Sequence, residues 1–224
     1  MATIHIYQGT CLTNLHVGSG GNTYGLIDKE VSRDVVFNVP NIPSSGVKGA
    51  LREHFKKHSK DPQKENHIFG PATRDEKEET QGAYKFLDAL LYAYPLPELE
   101  KEDQSFYLAT IREVQAYYKQ LLESFLGTCP ALPFPSESEE AFSFDLPVNA
   151  RNRVGAQGTS ENLWYEECVP HKSEFLFLVI SDTPKDELGL DGQVVQFGGN
   201  ASIGQGLIRL KELTKAGGGG YELS

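Results

Sequence analysis

Asp28 is the one acid in a glycine-bearing stretch that opens as His16-Val17-Gly18-Ser19-Gly20 and closes as Ile27-Asp28. A second such stretch, Gly198-Gly199-Asn200-Ala201-Ser202-Ile203-Gly204-Gln205-Gly206, lies near the other end of the chain. Glycine takes positive φ freely and has no Cβ, so both stretches pack tightly enough for backbone amides to approach a phosphate chain. The expected phosphate-facing set is Gly18, Ser19 and Gly20 with Gly199, Asn200, Ser202, Gly204, Gln205 and Gly206. Together they suggest a chain that grips nucleic acid along its backbone, with Asp28 the leading candidate for chemistry on it.

The 224 residues suit one large domain, or a smaller one with long insertions. Hydrophobic content of 39% with charged content of 23% excludes global disorder. Cys11, Cys129 and Cys168 are odd in number and lack CxxC spacing, which excludes a disulfide framework and points to a reduced, cytoplasmic setting. The Met1–Tyr7 start lacks the basic and apolar blocks of a signal peptide, and no run reaches the ~18 apolar residues of a membrane span. A net charge of −10 opposes a freely diffusing nucleic-acid binder, so any basic surface has to be local. It is found between Lys48 and Lys60, where Lys48, Arg52, Lys56, Lys57 and Lys60 face only Glu53.

The elements that must position these residues follow from periodicity. Alternation around Ile4, Ile6 and Leu12 predicts a strand over 2–12 that delivers the first glycine stretch. Val35–Val39 predicts a second strand, halted by Pro40 and Pro43. A helix capped by Ser44 or Ser45 runs to about Lys60, with Val47, Ala50, Leu51, His54 and Phe55 inward and Lys48, Arg52 and Lys56 on the adjoining face. Residues 71–82 read as a mobile loop and Tyr84–Tyr94 as a strand. Tyr107, Ile111, Val114, Tyr118, Leu121 and Phe125 mark a helix that stops at Gly127. Residues 129–148 look irregular, and Asn149–Arg153, Gly155, Gly158 and Leu163–Tyr165 predict a hairpin over about 149–168 with a basic stem.

Phe175–Ile180 has the continuous apolar run of a strand covered on both faces. A short helix near Lys185–Phe197, a strand at Leu207–Leu210 and a flexible glycine-rich tail over 217–224 complete the reading. This order predicts one α+β domain over 1–216: a ferredoxin-like (RRM-like) antiparallel sheet with helices on one face, carrying insertions at about 61–82 and 95–170.

With these residues in view the chain resembles the RAMP superfamily, and within it the backbone subunits of type III CRISPR effector complexes of the Cmr (type III-B) kind. The matching blocks are Leu15–Gly20 with Ile27-Asp28, Ile42–Arg52, Phe69-Gly70-Pro71, Phe86–Leu90, Trp164–Glu167 before Pro170, and Gly198–Gly206. The resemblance implies a CRISPR defence subunit that assembles with copies of itself and other type III subunits along a guide RNA. It implies that the hairpin acts as a thumb displacing one nucleotide of the guide–target duplex, and that Asp28 cuts complementary target RNA at regular intervals. Base pairing then reads sequence, and the protein holds shape and phosphates. The chain departs from the family in being shorter than the usual Cmr backbone subunit and in carrying Cys168 where an aromatic often follows the paired glutamates.

Such cleavage aligns a ribose 2′-OH with its own phosphate, which an unstacked nucleotide permits. Asp28 would serve as general base or hold a hydrated divalent ion, Mg2+ or Mn2+, each role worth ~10²–10⁴-fold; its bland alternative is an Asp capping its own turn. His16 would protonate the leaving 5′ oxygen or touch phosphate, against the alternative of a packed loop histidine. Glu167 is the assisting acid, with Glu166 beside it, unless both belong to a solvated strand edge. Ser45, Lys48 and Arg52 would contact guide phosphates, as would Arg151 and Arg153 on the hairpin stem, unless they are solvated face charges. Neither glycine stretch fits G-x-G-x-x-G, no Walker sequence exists, and Ser45-x-x-Lys48 lacks the partners of an acyl enzyme. Two further readings stay open: a non-catalytic guide-binding scaffold, and a stand-alone guide-precursor endoribonuclease.

Overall fold

A computed structural model describes residues 2–20, 26–71, 81–99, 105–132, 134–135, 146–183, 187–213 and 221–222. In chain order the elements are β1 (Thr3–Cys11), β2 (Asn41–Ile42), α1 (Ser44–His58), α2 (Pro62–Phe69), β3 (Tyr84–Phe86), β4 (Ala89–Pro97) and β5 (Phe106–Thr110). They continue as α3 (Arg112–Leu126), β6 (Val148–Val154), β7 (Ser160–Glu167), β8 (Glu174–Ser181), β9 (Val194–Gln196), β10 (Leu207–Leu213) and β11 (Tyr221–Glu222), with a 3₁₀ turn at Ala201–Ile203.

The main sheet runs β2-β4-β8-β1-β10-β9, and β6 pairs with β7 as a separate two-stranded sheet. Its centre, β4-β8-β1-β10, is antiparallel throughout and sets the first strand between the third and fourth, which is the ferredoxin-like arrangement. Phe175–Val179 of β8 are buried on both faces, as a continuous apolar run requires.

Register explains how the layers form. Tyr7 lies opposite Phe177 and stacks on it at 5.3 Å, and Phe86 lies opposite Val179. Phe86 stacks on Phe69 of α2 at 5.4 Å, and Phe69 meets Phe55 of α1 at 5.8 Å, so α1 and α2 cover this face. Val47, Leu51 and Phe55 form the buried stripe of α1, each stabilising the fold by about 1.5–3 kcal/mol relative to an exposed side chain. The opposite face carries Gln8, whose amide donates to the Tyr92 hydroxyl at 2.8 Å, and Phe134 packs edge-on against the Tyr92 ring.

Several expectations are corrected. Val35–Val39 is a knuckle: Asp34 Oδ1 accepts the Val36 and Phe37 N–H groups at 2.9 and 2.8 Å, and Asn38 takes φ +54°. Neither Ser44 nor Ser45 caps α1, because Asp88 Oδ1 accepts the Ser44 N–H at 2.6 Å. Asp61-Pro62 both halts α1 and starts α2, with Asp61 accepting from Gln63 and Lys64 N–H groups. Residues 106–110 pair with β4 as β5 before the expected helix begins, since Phe106–Thr110 alternate along an available sheet edge. At 187–197 turns and β9 replace the expected helix, because Val194–Gln196 pair with β10; residues 184–186 lie outside the described residues. Most of the 71–82 loop, most of 133–145 and residues 217–220 likewise lie outside them, whereas Tyr221–Glu222 of the expected free tail pair with β1.

Candidate RNA interface and active site

The two glycine stretches meet. Leu15 and Val169 exchange backbone hydrogen bonds at 2.9 and 2.8 Å, which lays the first stretch beside the end of β7. Gly199 N–H donates to the His16 carbonyl at 2.9 Å, and Gly206 N–H to the Asn14 carbonyl at 2.8 Å. A Cβ on Gly198, at φ +64°, would stand 2.2 Å from the His16 oxygen, so only glycine fits there. The expected amide cradle is corrected by the same bonds. Besides Gly199 and Gly206, Gly204 N–H serves Ala201 O, Gln205 N–H serves Asn200 O and Ser19 N–H serves Glu30 O. These glycines permit close packing of one stretch on the other. Gly18, Ser19, Gly20, Gly199, Ser202 and Gly204 form an exposed rim, whereas Gln205 and Gly206 are buried.

Beneath the rim lies a buried polar seam, in which Arg151 Nε has an ion-pair neighbour but no hydrogen bond. Glu166, 2% exposed, accepts from the Asn200 amide and from Trp164 Nε1 at 3.4 Å, with His16 Nδ1 at 3.5 Å and Arg151 Nε at 3.7 Å. Glu167, 7% exposed, accepts the Val31 N–H at 2.9 Å and pairs with Arg33 Nη2 at 3.2 Å. His16 is buried and donates Nδ1–H to the Glu167 carbonyl at 2.8 Å. Glu167 and His16, expected to assist the chemistry, here fasten the loops to β7, because a buried carboxylate needs its charge and lone pairs met.

Asp28 stands apart from that seam. It is exposed, and its Oδ2 accepts the Tyr165 N–H at 2.7 Å while Asp28 and Lys29 N–H groups donate to the Tyr165 carbonyl at 3.0 and 3.1 Å. Its carboxylate thus reaches across the chain to the root of the β6–β7 hairpin. Lys29 Nζ lies 5.1 Å over the Trp164 ring. Up the hairpin, Arg151 is opposite Trp164 and Arg153 opposite Asn162, so both arginines share the face of the tryptophan. Arg153 is 75% exposed and 3.5 Å from Glu161.

The basic helix is less basic than its sequence. Arg52 Nε donates to Glu65 at 2.6 Å and Nη2 to the Gly70 carbonyl at 2.9 Å, clamping α1 to α2, which corrects its expected phosphate contact. Lys56 lies between Glu53 and Glu65. Lys48 is half-buried and Ser45 exposed. Sequence reading missed Arg33, Asn200 as a glutamate donor and the Tyr165 backbone; the compact Trp164-Tyr165-Glu166-Glu167 block was the available signal.

Among the described residues no three His, Cys, Asp or Glu side chains gather to hold a metal. Asp28 offers one carboxylate with Oδ2 already accepting, and both glutamates are saturated, so the donor set does not fit a resident Mg2+ or Mn2+. Burial pushes the Cys11 and Cys168 thiols up, which makes poor nucleophiles of them at neutral pH.

These features define a ferredoxin-like α+β protein whose glycine loops close on the root of a long hairpin. The chain belongs to the RAMP superfamily, whose family model matches residues 9–209. The CRISPR system Cmr endoribonuclease Cmr4 of Pyrococcus furiosus is 25% identical, over 92% of this chain and 95% of its own length. The CRISPR system Cms endoribonuclease Csm3 of Enterococcus italicus is 26% identical, over 68% of this chain and 73% of its own. In a cryo-EM structure of the type III-B Cmr-beta complex bound to cognate target RNA, one chain matches with TM-score 0.74 at 20% identity, over 93% of this chain and 96% of that one. The crystal structure of oligomeric Cmr4 from Pyrococcus furiosus matches with TM-score 0.63 at 20% identity, over 96% and 100%. Likeness at such identity establishes the fold. Among the described residues no helix is long and apolar enough to cross a membrane.

Proposed function

We propose that this chain is a guide-RNA-binding backbone subunit of a type III CRISPR effector complex, working in the cytoplasm, and that it cuts complementary target RNA through Asp28. The observation that carries the reading is the exposed Asp28 carboxylate fastened to Tyr165 at the hairpin root. Full-length similarity to a protein named a Cmr endoribonuclease supports the reaction class. A nucleotide displaced by the hairpin leaves the helical stack beside that carboxylate, where its 2′-OH can align with its phosphate. Asp28 takes the 2′-OH proton, O2′ bonds to phosphorus, and the P–O5′ bond breaks. The products are a 2′,3′-cyclic phosphate and a 5′-OH, whose proton comes from water. His16, Glu166 and Glu167 are positioning residues that keep the root rigid. Gly18, Ser19, Lys48, Arg151 and Arg153 supply the RNA-facing rim. Among the described residues no donor set fits a resident divalent ion, so the proton transfer rests on Asp28.

The test is Asp28→Asn in the assembled, guide-loaded complex. Target cutting should fall ~10²–10⁴-fold while guide binding and assembly persist. Unchanged cutting would leave the scaffold reading in its place.

A further inference from the structure

We infer that His54 and His58 of α1 form a binding site for a late first-row divalent ion, Zn2+ above all, with water completing its coordination. The pair lies at the C-terminal end of the helix, about 15 Å along the axis from Lys48 of the RNA-facing rim. It therefore stands outside the proposed reaction centre and owes nothing to the chemistry of Asp28.

Spacing puts both ligands on one face. Residues four apart on a helix are neighbours, and two histidines at that interval are the arrangement by which a single helix chelates zinc. Here the rings face each other with 4.1 Å between centroids and 28° between their planes. The second torsion of a histidine side chain is soft, so a modest turn brings one nitrogen of each ring to a common ion.

The tautomer of the outer ligand is set as well. His58 Nδ1 lies 2.8 Å from the His54 carbonyl, which can only accept, so Nδ1 carries the hydrogen and Nε2 keeps its lone pair. Metal-ligating histidines are oriented in the same way, by a bond from the other ring nitrogen to a backbone carbonyl or carboxylate. His58 is exposed and His54 half-buried, so an ion reaches the pair from solvent.

The surroundings decide which ion suits it. The rings border a recess of about 280 Å³ shared with Ser59, Lys64, Glu187 and Gln193. The helix ends at Ser59, so its last carbonyls turn the negative end of the dipole toward a bound cation, and Glu187 adds a carboxylate. Lys57 and Lys64 oppose it, but Lys57 is exposed to solvent and Lys64 Nζ is drawn 5.9 Å over the Phe55 ring. Among the described residues no third His, Cys, Asp or Glu gathers with the pair, so water fills the remaining positions. Two imidazoles favour Zn2+, Cu2+ or Ni2+ over Mg2+ and Mn2+, which seek oxygen ligands.

The experiment titrates Zn2+ into the full chain by calorimetry, beside His54→Gln, His58→Gln, His58→Cys and His171→Gln. The last removes an exposed histidine ahead of β8 and serves as the control. The parent and His171→Gln should take up one Zn2+ per chain with equal affinity. His54→Gln and His58→Gln should bind it at least about 10-fold more weakly. His58→Cys restores a zinc ligand at the same interval and should regain binding, which separates a lost ligand from a disturbed helix. Excess Mg2+ should leave the ion in place, and Zn2+ should raise the melting temperature of the parent more than that of either glutamine variant. The assignment is overturned by a parent with no saturable uptake below about 1 mM, by a glutamine variant that binds or is stabilised like the parent, by loss of binding in His171→Gln, by failure of His58→Cys to regain it, or by displacement with Mg2+. Failure of zinc binding leaves the Asp28 reading untouched, and unchanged cutting in Asp28→Asn leaves the zinc site untouched.

Discussion

Two sets of acids lie within one turn of the hairpin root, and they live under opposite conditions. Glu166 and Glu167 are buried and fully engaged by Asn200, Trp164, Arg33 and the Val31 amide. Asp28 is exposed, and its Oδ2 accepts the Tyr165 N–H at the strand edge. A carboxylate that already meets its partners in the interior holds loops together, while one at the solvent boundary can accept a substrate proton. Residue type made the three acids look alike. Burial and partners separate them.

The comparison is broken most severely if Asp28→Asn leaves cutting intact, since the exposed acid is expected to carry the ~10²–10⁴-fold effect with melting temperature unchanged. The buried side should show the reverse pattern. Glu167→Ala strands the Val31 N–H and the Arg33 guanidinium, and urea unfolding should register a loss of about 3 kcal/mol. Gly198→Ala forces a Cβ against the His16 carbonyl at positive φ and should cost about 2 kcal/mol by the same measurement. Arg153→Ala, on the exposed side, should leave stability alone while lowering the slope of log affinity against log salt by about 1. The smallest effect is a pH slope. Burial, with the neighbouring His58 and Lys57, lowers the His54 pKa from 6.5, so the unfolded chain binds the proton more readily. Stability from this group is present above pH 6.5 and declines as pH falls through the folded value. Thermal melts of His54→Gln between pH 7 and 5 should show a flatter decline.

Much of this architecture was legible because its signals were local. The apolar run of β8, the Ile4–Ile6 alternation of β1, the Val47–Leu51–Phe55 stripe of α1 and the Gly155/Gly158 turn of the hairpin each declare themselves within a few residues. What was not legible depends on partners far along the chain. Phe106–Thr110 reads equally well as the first turn of the helix that follows, and only the free edge of β4 makes it a strand. Arg52 looks like a phosphate ligand until Glu65 and Gly70 arrive on α2. The glycines of the second stretch look like a phosphate cradle until the His16 and Asn14 carbonyls claim their N–H groups. Asp28 was singled out as the only acid of its loop, but nothing in its neighbourhood pointed to Tyr165 as its anchor.

The contacts of Gly199 with His16 and of Asn200 with Glu166 also order events in time. They join stretches from the two halves of the polypeptide, so a growing chain on the ribosome cannot close them until the last strands have emerged. A partly translated copy therefore carries most of its strands before its buried polar seam can close.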